Sequence, residues 1–309
     1  MVKKAKTKPK KSSVTNGRTR QLSKKDAKLK AKKDAAKQPP IPNSFKLVGQ
    51  VFKAMKINWK VLGGIVLVYS LLNVVFASGL LSDLNTTVTN IRQTHGLSNA
   101  LSGYGSLIGS SSDGSQTSSV MQSLLLVLES LVIIWVLRQL LAGRMIRVKQ
   151  AYYQSMLPLV PFLLVIFMII VQLLPITLGA ALLSLVLSSV VTGGGLVTFL
   201  FVVVFAALAA WSIYMVSSSI FAIYIVTLPD MQPRQALRSA KKLAGFRRWL
   251  ILRRLVFLPI FVLLALGVII IPLILVLPFL VVPVFFVLLM ISILFVHTYL
   301  YDLYRGLLG

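Results

Sequence analysis

Residues 255–301, LVFLPIFVLLALGVIIIPLILVLPFLVVPVFFVLLMISILFVHTYLY, run for 47 positions without an Asp, Glu, Lys or Arg. At about 1.5 Å per residue a single helix of that length would measure about 70 Å. That is more than twice the roughly 30 Å hydrocarbon core of a bilayer. The stretch therefore reads as two membrane spans, at about 255–275 and 279–301. Pro272, Pro278 and Pro283 place the reversal near 273–283 or kink the helix that follows it.

Upstream, residues 150–229 are also free of charge, 80 in a row. They hold a third span at about 157–178 and a fourth at about 196–227, joined through Gly193-Gly194-Gly195. The apolar piece 180–191 reads either as an extension of the third span or as a re-entrant half-helix. A first span at about 61–81 and a second at about 120–141 complete the set. Between them, residues 82–119 are rich in Ser, Gly, Thr and Asn and read as a polar loop. Spans one, three and five begin near 61, 157 and 253, a spacing that a threefold repeat of helical hairpins would produce. The fold class expected is thus all-α: a polytopic bundle of six transmembrane helices over 45–309, preceded by a tail.

Composition agrees with that class. The chain has 309 residues, 57% of them hydrophobic and 13% charged, with a mean hydropathy of +0.85. Soluble domains carry about 25% charged residues. There is no cysteine, which excludes disulfide scaffolding and thiol chemistry, and seven Asp and Glu with two His are too few for most hydrolytic or metal sites. No catalytic group, metal or cofactor is expected, and the chain does not read as an enzyme.

The net charge of +26 has two sources. Residues 1–44 carry 15 Lys and Arg against two Asp, and very few large apolar side chains. Such a segment cannot bury enough surface to offset its ordering entropy, so a disordered basic tail is expected there. It can serve solubility and topology alone, attract an anionic lipid surface, or bind nucleic acid. The absence of interleaved aromatics argues against nucleic acid as a partner. In the rest of the chain the basic residues cluster at alternate span ends. Of all 33, only Arg92 falls on the side opposite the N-terminus. Basic residues stay cytoplasmic, so both termini are expected inside a cell membrane.

Two segments separate into faces on a helical wheel. In 45–60, Leu47, Val48, Val51, Phe52, Met55 and Trp59 oppose Lys46, Lys53, Lys56 and Lys60. In 234–244, Ala236, Leu237, Ala240, Leu243 and Ala244 oppose Arg234, Arg238, Lys241 and Lys242. Helices of this kind lie in the headgroup plane of an anionic leaflet or pack on the ends of the bundle. The eight cations are the candidate contacts to anionic phospholipids, with Trp59 and Trp249 as interfacial anchors.

Glu129, the only glutamate, falls near the middle of the second span. An ionisable group inside a membrane is a functional candidate by default. It reads as a proton or cation site, or as a carboxyl hydrogen-bonded to a polar residue such as Gln172. His297 reads as a packing or interfacial residue. Ser217-Ser218-Ser219 could bond a neighbouring helix, line a polar path, or allow close packing.

Residues 224–253, YIVTLPDMQPRQALRSAKKLAGFRRWLILR, resemble the membrane domain of the bacterial glycerophosphoryl diester phosphodiesterase family and related six-span proteins. Ala236-Leu237-Arg238 and Leu243 fit its Ala-Leu-basic helix, and 299–305 (YLYDLYR) is similar to its aromatic-Asp-Leu-Arg close. Ala240 and Lys241 depart from its serine and aromatic positions. The resemblance implies an architecture over about 45–305 and no activity, since the family's enzyme is a separate domain with no counterpart in this chain. Two functional readings follow. One is a membrane-organising or accessory component whose basic face contacts anionic lipid, with or without protein partners or a second copy. The other is a transporter or channel subunit with Glu129 in a proton or cation path.

Overall fold

A computed structural model describes residues 43–76, 97–109, 116–189, 195–228, 231–245 and 247–308. All of them belong to one compact unit, Ile41–Leu308. The tail, residues 77–96 and Asp230 lie outside the described residues, as does the basis for reading the tail as disordered.

The described residues contain eleven α-helices and no strand. In chain order these are α1 (Ser44–Ile57), α2 (Trp59–Phe76), α3 (Leu97–Gly109), α4 (Gln116–Leu141), α5 (Val148–Ser155) and α6 (Leu159–Ser189). They continue with α7 (Gly195–Ser219), α8 (Ala222–Val226), α9 (Pro233–Ala244), α10 (Arg248–Val276) and α11 (Val281–Leu308). Six are long and apolar enough to cross a membrane: α2, α4, α6, the α7–α8 pair, α10, and α11 with the 3₁₀ turn Pro278–Leu280 before it. The protein is an all-α, multi-pass membrane bundle.

Consecutive spans pair as hairpins, α2 with α4, α6 with α7 and α10 with α11. The shorter helices α1, α5, α8 and α9 gather at one end with the C-terminus of α11, hereafter the basic end. A large core lies there, where Leu131, Val132, Ile134 and Val136 of α4 are completely buried with Phe221, Ala222 and Leu303. A smaller core, around Tyr69, Leu107, Ile270 and Phe285, holds α3 to α2, α10 and α11. The share of each span's most apolar window buried inside the protein falls from 44% in α4 to 11% in α6 and 6% in α7–α8. In the α6–α7 hairpin the largest contact of each helix is with the other. Gly179 lets the two helices approach, since a Cβ there would come within 3.0 Å of Leu208.

Two expectations change and two open alternatives are decided. The segment expected as a polar loop contains α3, which packs against α10. Its apolar positions, Leu97, Ala100, Leu101, Tyr104, Leu107 and Ile108, follow helical spacing between glycines and serines. The Tyr104 hydroxyl donates to the Leu263 carbonyl at 2.5 Å. Leu263 lies 15 residues from one end of α10 and 13 from the other, so α3 reaches the level of the middle of that span.

The third span is longer than expected. It runs unbroken through Pro175 to Ser189, so 180–189 continue it and do not form a separate half-helix. The fourth span is broken at Ile220 and Phe221. Ser217 and Ser218 donate to the carbonyls of Tyr214 and Met215 at 2.8 Å, and Ser219 to Met215 at 3.3 Å. Hydroxyls turned back on their own helix bend it, and here the bend separates α7 from α8. Among the described residues they bond no neighbouring helix.

Finally, α9 does not lie with its apolar face in a headgroup layer. Ala236, Ala240 and Ala244 are fully buried against the bundle, which small side chains permit at close range. Of the two placements open to α9, packing on the bundle end is the one observed. In α1, Leu47, Val48 and Val51 are buried, chiefly against α11, while Phe45 and Phe52 lie against Phe257 and Phe295 at 5.3 and 5.5 Å between ring centres.

Candidate functional site

Glu129 is 2% exposed. Its Oε2 accepts a hydrogen bond of 2.9 Å from the Tyr152 hydroxyl, and its Oε1 has no hydrogen-bond partner among the described residues. Gln172 is not its partner; that side chain's own Oε1 is buried without a hydrogen-bond partner among the described residues. The reason is the path of the chain. After α4 a tight turn with Gly143 at φ 74° leads into α5, whose Ala151 and Ser155 are fully buried. That packing carries Tyr152 back along α4 to the carboxyl. Burial first, and then the adjacent Glu129 carboxyl, push the Tyr152 phenol above its ordinary pKa.

A second polar group sits beside the first. Ser130 Oγ donates to its own helix at Leu126 O, 2.7 Å away, and lies 2.9 Å from His297 Nε2. A hydroxyl has one proton, so Ser130 receives the hydrogen bond from His297 Nε2–H. Nδ1 is then the accepting nitrogen and faces the Tyr224 hydroxyl at 3.4 Å. Tyr224 in turn is enclosed by Tyr301 and Tyr304 at 5.9 and 6.0 Å between ring centres. The sequence reading of His297 as a packing residue is thus met with an addition, because it joins α4, α8 and α11 through polar atoms.

Arg138 completes the basic end. Its Nη1 donates to Thr227 O at 2.6 Å, and its Nη2 to Tyr224 O at 3.0 Å and to Thr227 Oγ1 at 2.5 Å. Two of these acceptors are main-chain carbonyls at the C-terminus of α8, where a cation is favoured by the helix dipole; Tyr224 O also accepts from the Thr227 hydroxyl. All three acceptors are neutral.

The eight cations singled out in the sequence, Lys46, Lys53, Lys56, Lys60, Arg234, Arg238, Lys241 and Lys242, are all exposed. The structure brings them to two surfaces, α1 with the start of α2, and α9. Trp59 is 66% and Trp249 80% exposed, as anchors at a lipid interface would be. Two cavities flank the polar groups. One of about 580 Å³ at the basic end is lined by Trp135, Arg138, Gln139, Gln154 and Gln232 among others. Another of about 570 Å³ lies between α3, α4, α10 and α11. Among the described residues no three His, Cys, Asp or Glu side chains are grouped to hold a metal ion.

Tyr152 and Arg138 are the residues the sequence reading passed over as site members. Arg138 was visible as a charge closing a span, whereas Tyr152 carried no signal, since only the turn at Gly143 brings it to Glu129. No family model matches this chain, and no curated protein or solved structure is detectably similar to it.

Proposed function

We propose that this protein is a non-enzymatic membrane-organising or accessory component whose basic end faces the cytoplasm and holds anionic phospholipid. The observation that carries the reading is the seating of α9. Three alanines of one face are locked against the bundle while Arg234, Arg238, Lys241 and Lys242 project from the other. A row of cations fixed by protein packing, next to exposed Trp249, suits a surface of negative headgroups. The surplus of basic residues at this end supports a cytoplasmic orientation. The resemblance of 224–253 to the membrane domain of the phosphodiesterase family agrees with a role that needs no catalytic group.

Each basic residue near an anionic leaflet contributes about 1 kcal/mol. Replacing the four α9 cations by Gln in the full chain is expected to lower retention of phosphatidylglycerol over phosphatidylcholine at least tenfold. The measurement is native mass spectrometry from mixed micelles, with the same comparison repeated across salt concentrations. Equal retention and an equal salt response in the variant would defeat the reading.

Transport through Glu129 has less support. The carboxyl is nearly inaccessible, is tied to Tyr152, and lines neither of the two large cavities. A cation or proton flux in proteoliposomes that Glu129→Gln abolishes would restore it.

A further inference from the structure

The cavity between α3, α4, α10 and α11 has a chemistry unlike the basic end. Its volume of about 570 Å³ is in the ordinary range of ligand sites, roughly 300–1,000 Å³. None of the residues lining it is Asp, Glu, Lys or Arg. Its walls are aliphatic and aromatic, among them Leu107 and Ile108 of α3, and Phe285 and Met290 of α11. The few polar groups are neutral and include Tyr69, Gln122 and His297. An inorganic ion or a charged headgroup would find no countercharge there, whereas hydrocarbon would find matching surface.

The cavity also meets the outside of the bundle. A groove of about 170 Å³ runs on the other side of the α10–α11 seam, lined by Phe52, Phe261, Ile269, Ile291 and Phe295. Val262, Leu266 and Ser292 line both the groove and the cavity. These side chains of α10 and α11 therefore stand between the groove and the cavity. In a membrane the groove faces lipid.

The dimensions select one kind of occupant. From Phe285 to His297 the cavity follows α11 for twelve residues, about 18 Å. Half of a roughly 30 Å hydrocarbon core, the reach of one leaflet's chain, is about 15 Å. We infer that this cavity, which opens to the outside beside the exposed side chains of Ile108, Leu126 and Leu263, holds one hydrocarbon chain of a membrane lipid, with Val262, Leu266 and Ser292 as part of its wall along α10 and α11. Helix α3, tethered by Tyr104 to the Leu263 carbonyl, forms the wall that keeps the chain in place. The site is separate from the basic surface of α9 and does not depend on the charge of the lipid.

The test uses the full chain in nanodiscs of phosphatidylcholine with a small fraction of phosphatidylcholine bearing a photoreactive diazirine in one acyl chain. After illumination, adducts are mapped by peptide mass spectrometry. Adducts are expected at the buried Leu107, Phe285 and Met290 in addition to exposed lipid-facing positions such as Leu264 and Val268. Leu266→Trp, which fills part of the cavity, is expected to lower the inner adducts at least fivefold and leave those at Leu264 and Val268 unchanged. Adducts confined to exposed positions in the unaltered protein would overturn the inference, as would a folded Leu266→Trp protein with undiminished inner adducts. Should Leu266→Trp not fold, Ser292→Leu serves the same comparison, and the map of the unaltered protein decides by itself.

Discussion

Removal of one hydroxyl, Tyr152→Phe, reports directly on how α5 is fastened to α4. Hydrogen bonds between helices in membrane proteins average about 0.6 kcal/mol and reach about 1.7. Leaving a buried donor or acceptor unsatisfied costs about 1–3 kcal/mol. Here the acceptor is 2% exposed and its second oxygen has no hydrogen-bond partner among the described residues, so water does not readily replace the lost donor. A loss of about 1.5–2 kcal/mol is expected, roughly a 10- to 30-fold change in the folding equilibrium. Glu129→Leu orphans the tyrosine instead and should destabilise by a similar amount. The double variant leaves no buried polar group unpaired, and is expected to be more stable than the sum of the two losses predicts, by at least 1 kcal/mol. Reversible unfolding in dodecyl maltoside titrated with dodecyl sulfate, followed by tryptophan fluorescence, measures all four proteins. Additive losses, or a Tyr152→Phe protein within about 0.3 kcal/mol of the parent, would refute the reasoning. The same comparison has a pH signature. Burial raises the folded-state pKa of Tyr152 above the ordinary value of 10.0. Its contribution is therefore fully present below pH 10 and declines as pH rises from there through the folded value. The stability gap between parent and Tyr152→Phe should narrow above pH 10.

Three further outcomes are expected. Arg138→Gln strips the cap from α8 and should cost about 1–2 kcal/mol in the same unfolding assay, with faster hydrogen exchange at 222–228. Gly64→Val should cost about 1–3 kcal/mol, because a Cβ there already comes within 2.9 Å of the branched Val148 side chain, whereas Gly49→Ala, with open space around it, should be neutral or slightly stabilising. Tyr104→Phe removes the hydroxyl that ties α3 to α10, and increased hydrogen exchange confined to 97–109 is the expected readout.

Five of the spans were legible because each contains an uncharged run near or above the length a bilayer demands, and the second, which holds Glu129 and Arg138, because the rest of it is apolar, a constraint that acts on composition and ignores detail. The reversal at Pro278 was legible for the same reason, since 47 uncharged residues cannot form one span. Helix α3 was not, because Ser98, Ser102, Gly103, Gly105 and Ser106 dilute its apolar positions below any hydropathy threshold; it is held by neighbours that only the fold supplies. The break after Ser219 depended on where three hydroxyls turn, which composition does not encode. Glu129 stood out as the only glutamate, yet its partner could not be named, since Tyr152 reaches it through a tertiary turn. The cationic face of α9 was readable from spacing, while its burial on the opposite face required three alanines to meet a surface built by α6, α7 and α8.

The α6–α7 hairpin couples this protein to bilayer thickness. The apolar part of α6, Leu159–Leu185, has 27 residues and measures about 40 Å, about 10 Å more than a typical hydrocarbon core. With so little of it buried in the bundle, lipid must accommodate the excess. Tilt alone would require about 40°, the upper limit seen for membrane helices. A thicker, more ordered bilayer shortens that excess by several ångströms and relieves the tilt. A span of this length is expected to favour thicker membrane regions through length alone, with no recognition of any headgroup.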